Sequence, residues 1–185
     1  MRPTSPNIIR VYLAATAQHV AEGLTWYRDA HKLACELDPD NPSRAAGVIA
    51  ALSPRESWTR NVYLATLLYE RGGDLQDGTL SSNLDKARRI YAGEDPLDVL
   101  GGAKVRAFFT LINNPDDAET VCVDRHAFDV AVGRKTDDKA RQVLGRKGMY
   151  ERFARAYRRA AEVLGVTPAQ VQAVTWVAWR EGVTA

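Results

Sequence analysis

The chain has 185 residues, 45% of them apolar and 26% charged, with a formal net charge of +2. That is enough to bury the core of one globular domain, or of two small lobes, with no need of a disulfide or a structural metal. Two cysteines, Cys35 and Cys122, exclude a disulfide framework and a cysteine-built zinc or iron–sulfur site, and no run of about 18 apolar residues offers a transmembrane helix. The opening MRPTSPNIIR lacks a charged start followed by an apolar stretch, so no secretory leader is expected; a reducing cytoplasm is the expected compartment.

Apolar residues recur at steps of three and four throughout, and no period-2 run stands out, so the fold class is all-α. A first helix is expected from Asn7 through Val20, stopped by Gly23. A second carries Trp26 to Leu37 and stops at Asp38-Pro39. Pro42 opens a third, Ser43 to Leu52, whose alanines and valine mark it as buried. The next runs from Trp58 to Tyr69, and Gly72-Gly73 ends it. A polar loop, Asp74 to Ser82, follows with a turn at Gly78. Short helices are expected over Asn83 to Tyr91, from Asp95-Pro96 to Gly101-Gly102, and over Ala103 to Ile112. Val121-Cys122-Val123 leads into Asp124, a good N-cap for a helix over Arg125 to Val132. Two further helices cover Tyr150 to Leu164 and the stretch after Thr167-Pro168; the latter presents Trp176 and Trp179 to the core.

The basic residues comprise 19 Arg and 6 Lys, and ten of them lie between Arg134 and Arg159 against three acids. Arginine suits bidentate phosphate contacts, so this is either a phosphate-facing stripe or a solvated helical surface. His19 and His31 have no partners at metal spacing, so neither a metal nor a cofactor is expected.

Two segments carry chemistry. In Leu100-Gly101-Gly102-Ala103-Lys104-Val105-Arg106 a glycine turn joins two helices. The free N–H groups and dipole of the second can hold an anion, with Lys104 and Arg106 adding charge, though such a glycine also serves as a plain C-cap. In Val121-Cys122-Val123-Asp124-Arg125-His126 an apolar approach presents a carboxylate at a helix N-terminus, which is also what an ordinary capping aspartate does.

Taken together these segments resemble the helix-hairpin-helix–Gly/Pro–Asp superfamily of DNA glycosylases, endonuclease III type. A Leu-x-Gly hairpin is followed some 20 residues later by Val-Asp-x-His. Ala50-Ala51-Leu52-Ser53-Pro54-Arg55 followed by Asn61 is similar to that family's leucine-serine segment, and Asn83-Leu84-Asp85-Lys86-Ala87 to its Asn-x-Lys-Ala stretch. The likeness spans residues 48–133. It implies a two-lobed helical fold with a cleft between the lobes. One lobe would be residues 1–40 with 134–185, the other residues 41–133 with the hairpin and the Val-Asp-x-His segment.

The resemblance also implies roles. Asp124 would be the catalytic carboxylate. Gly101, Gly102, Lys104, Arg106, Arg55, Arg125 and His126 would contact DNA. Arg55 would fill the gap left by a flipped base and Trp58 would stack on it, the alternative for Trp58 being a core position. Lys104 replaces the second hairpin glycine, and Arg106 stands where bifunctional members carry a lysine nucleophile; an arginine stays protonated and forms no Schiff base. The implied function is therefore monofunctional DNA N-glycosylase, acting as a monomer on DNA, nucleoid-associated and with no membrane partner. Two alternatives remain: a phage-type transferase that joins an amino acid or amine to an activated hydroxymethylpyrimidine in DNA, and a catalytically inactive DNA-binding relative.

Overall fold

The computed structural model of the protein describes residues 2–76 and 79–184; the turn expected at Gly78 lies outside them. The described residues contain helices and connecting loops and no strand, so the chain is all-α as its periodicity indicates. The α-helices, in order, are α1 Ser5–Leu13, α2 Ala17–Leu37, α3 Pro42–Leu52, α4 Trp58–Glu70, α5 Ser81–Tyr91, α6 Pro96–Val99, α7 Ala103–Asn113, α8 Arg125–Val132, α9 Asp138–Arg141, α10 Met149–Leu164 and α11 Pro168–Arg180. A 3-10 turn, Gln142–Gly145, follows α9. No helix is long and apolar enough to cross a membrane among the described residues.

The chain forms two compact units. One comprises Met1–Tyr27 with Asp116–Ala185, the other Arg28–Pro115. The division expected at residues 40/41 and 133/134 thus falls at 27/28 and 115/116, and the Val121–His126 segment belongs with the terminal helices, apart from the hairpin. The reason lies in packing: Val121, Val123, Ala127 and Phe128 are buried in one cluster with Ile8 and Val11 of α1, Phe153 and Tyr157 of α10, and Val171 and Trp179 of α11. Phe128 stacks on Phe153 with ring centroids 4.6 Å apart.

The first helix also differs from expectation. Residues 7–20 form parts of two helices, and Gly23 lies inside α2 as a buried residue. A Cβ there would meet the Val174 backbone at 2.4 Å, so Gly23 permits a close helix–helix approach and does not end the helix. In the other unit α3 is central and packs against α4, α5, α6 and α7. Its residues Ala45 to Leu52 are all buried, and the short side chains let neighbours come close. Asp38, at the end of α2, is buried and accepts hydrogen bonds from Arg44 Nε at 2.5 Å and Tyr69 Oη at 3.1 Å. Burial works to raise the Asp38 carboxyl, yet these bonds and the Arg44 charge hold it below the usual carboxylate range.

Candidate active site

Asp124 is the N-cap of α8, as its sequence context indicates: its backbone is extended, at φ −89° and ψ −171°, and its Oδ1 accepts from Ala127 N at 2.8 Å. The carboxylate is half-buried. Its second oxygen takes no hydrogen bond among the described residues.

The approach to Asp124 is held by hydrogen bonds. Val123 N donates to Val121 O at 3.1 Å and Asp124 N to Cys122 O at 3.1 Å, which folds the run into tight successive turns. Tyr150 on α10 clamps it: its hydroxyl donates to Val121 O at 2.9 Å and accepts from Val123 N at 2.9 Å. Two helical turns later on the same face, fully buried Tyr157 donates to Ala127 O at 3.0 Å, in the first turn of α8. Two tyrosines of one helix therefore bracket Asp124 on both sides. Neither stands out in the sequence, because a tyrosine at core spacing reads as packing. The Tyr150→Phe variant keeps the ring but strips the clamp. We expect a loss of about 1–3 kcal/mol in a urea titration, with faster amide exchange at Val123.

A third phenol completes this neighbourhood. Tyr27, buried at the end of the α2 segment in this unit, donates to Gln172 Oε1 at 2.6 Å and bonds Cys122. Burial first, then the proximity of Cys122, Asp124 and Tyr150, pushes the Tyr27 phenol far up. Burial likewise raises Tyr150 and Tyr157, and the Asp124 charge adds to both. All three phenols are thus neutral near the Asp124 charge, and each donates to a carbonyl oxygen beside it: Gln172 Oε1, Val121 O and Ala127 O. Trp26 meets Tyr27 edge-on at 4.9 Å and Trp176 at 5.7 Å, so this pair lies against the same unit's interior. Trp176 is half-buried under Arg180, 4.4 Å from its centroid, and Trp179 is buried as expected.

His126 is half-buried. Burial holds its ring below the ordinary histidine value against the upward pull of Asp124. Its Nε2 accepts from Arg125 Nε at 3.1 Å, which requires that nitrogen to be unprotonated. Arg125 itself is exposed.

The hairpin lies in the other unit. Leu100 is buried and anchors it; Gly101 and Gly102 are exposed. Gly102 has φ +76°, a conformation that glycine adopts without strain, and it precedes α7 with no side-chain cap. Gly102 therefore offers the first turn of α7 no side-chain cap. Lys104 stands in this first turn with Nζ 5.1 Å from the Phe108 ring centroid. Arg106 turns back on the hairpin, its Nε donating to Leu100 O at 2.8 Å and its Nη2 to Leu97 O at 2.7 Å. It braces the turn.

Arg55 is exposed at φ +70°, the one non-glycine residue at positive φ among the described residues. Asn83 is buried and donates from Nδ2 to Pro54 O at 3.2 Å, so the start of α5 pins the Ser53–Ser57 loop. Trp58 is half-buried and edge-on to Phe108 at 6.4 Å. No cluster of three or more metal-ligating side chains occurs among the described residues.

The chain belongs to a family described as "Family of unknown function (DUF7178)", matched over residues 1–183. No curated protein and no solved structure matches it.

Proposed function

We propose that the protein is a monofunctional DNA N-glycosylase that hydrolyses the bond between sugar and base of a flipped nucleotide. The observation that carries this reading is the half-buried Asp124 carboxylate. It stands at a helix N-terminus with one oxygen uncommitted, among three neutral phenols. Cleavage of the N-glycosidic bond builds positive charge on the sugar. A carboxylate held in surroundings of low dielectric stabilises that charge and orients the attacking water. Water adds to C1′, the base leaves with the bonding electron pair, and the water's proton passes to solvent or to the base. Tyr150 and Tyr157 keep the carboxylate in place, and His126, its Nε2 taken by Arg125, has the Nδ1 proton left to donate.

The uncapped start of α7 suits a DNA phosphate, with Lys104 beside it. Arg55, exposed on a left-handed backbone, is the side chain offered to fill the gap left by the extruded base. Trp58 anchors that loop against Phe108. Arg106, charged and hydrogen-bonded to two carbonyls, forms no Schiff base, so strand scission is not expected.

The test is a single-turnover incubation of the full chain with duplexes that each carry one altered base, followed by hot alkali. Strand cleavage at the altered position after alkali, and none before it, is the expected result. Strands that stay intact after alkali across the panel would overturn the reading.

A further inference from the structure

We propose that the exposed face of α10 is a second nucleic-acid phosphate surface, separate in the chain from the hairpin. The inference rests on DNA being the partner but not on any chemistry at Asp124. Of the ten cations in residues 134–159, Arg141 is committed to Asp129 at 2.8 Å and Asp138 at 2.9 Å, and Arg158 to Glu151 at 2.7 Å and Glu119 at 3.2 Å. All three acids of the segment are thereby engaged within the unit: Asp138 and Glu151 in these pairs, Asp137 as the cap of α9. No acid of this segment is left uncommitted for the remaining cations. Arg152 and Arg159 form no ion pair among the described residues, and Arg155 reaches Glu151 only at 3.9 Å.

Arg152, Arg155 and Arg159 are exposed and lie three and four residues apart, on one stripe of the helix. Together they span about 10 Å of helix axis, close to three phosphate intervals of one strand at about 3.4 Å each. Arg146 and Lys147 extend the charge before the helix, and Glu162 closes the stripe one turn after Arg159. Guanidinium forks suit phosphate oxygens bidentately. A lipid surface fits less well. An interfacial helix needs an exposed apolar face, whereas α10 buries Phe153, Tyr157 and Ala160 in its own core.

The full chain is titrated against a fluorescein-labelled duplex by anisotropy over a range of salt. Replacing all three arginines, as R152Q/R155Q/R159Q, is expected to make the slope of log affinity against log salt shallower by about 2.7, at 0.9 per phosphate. Between 50 and 200 mM salt the wild type then loses about 40-fold more affinity than the variant. The R152K/R155K/R159K variant keeps the wild-type slope, since charge alone sets that term. A slope unchanged in the glutamine variant overturns the proposal. So does an equal loss in R2Q/K32Q/R71Q, which removes the same charge elsewhere. Vesicles of phosphatidylglycerol and phosphatidylcholine form a third arm: vesicle binding lost in the glutamine variant, with the duplex slope unchanged, assigns the face to membranes and overturns it too. Base release is a separate readout, so failure of the glycosylase reading leaves this outcome distinguishable.

Discussion

The Asp124→Asn variant is expected to lower base release by about 10³-fold while duplex affinity and thermal stability stay near those of the wild type. The expectation follows from the two duties of this side chain. Asparagine keeps the cap, because its Oδ1 can still accept from Ala127 N, and asparagine and aspartate cap helices about equally well. It removes the charge, which is what a developing oxocarbenium ion requires. A drop of this size is typical when an electrostatic or general-base contribution is deleted from a catalytic site. Gel analysis of abasic product under single-turnover conditions measures the rate, and anisotropy measures affinity. Base release at the wild-type rate from Asp124→Asn would remove Asp124 from the chemistry.

Arg141→Ala is expected to cost about 3–5 kcal/mol of folding stability, the largest effect for any residue outside the hydrophobic core. Asp129, on the buried side of α8, has a side chain only 4% exposed. Its Oδ2 accepts from Arg141 Nη2 at 2.8 Å and its Oδ1 from Arg141 Nε at 3.3 Å and from the Thr136 hydroxyl. Arg141 Nη2 also donates to Thr136 O. Truncating the arginine leaves a buried carboxylate with only a hydroxyl to satisfy it, which is the costly way to break such a pair. These bonds join the segment that follows α8 to the helix, beside the Arg134 N to Asp129 O bond, so it should loosen as well. Equilibrium urea unfolding of the two proteins decides the point; a difference below about 1 kcal/mol would mean that the pair is worth no more than a surface ion pair.

Much of the site's scaffold is legible in the sequence because local rules govern it. Asp124 before an apolar-periodic stretch is the N-cap of α8, and Thr167-Pro168 with Gln170 forms a capping box that opens α11, as the residue order indicates. Pro42 and Asp95-Pro96 open α3 and α6 for the same reason. Features set by distant contacts are not legible. Gly23 reads as a helix stop, yet it sits within α2 because Val174 needs the space. The boundary between the two units follows the burial of Val121 and Phe128 against α1 and α10, a matter of which apolar face meets which. Helix α9 and its 3-10 extension are too short and too charged to show a period. Tyr150 and Tyr157 reveal their roles only through the carbonyls they reach, and Arg106 only through its bonds to Leu97 and Leu100.

The most direct test of the central claim is the intact mass of the treated strand. Incubated with the protein, a duplex bearing the substrate base should yield a strand in which that base is replaced by one hydroxyl, with the free base recovered in equal amount and no covalent protein–DNA adduct after borohydride. A strand that keeps its base and gains the mass of an amine or amino acid, or one unchanged in mass at every base presented, would contradict the account.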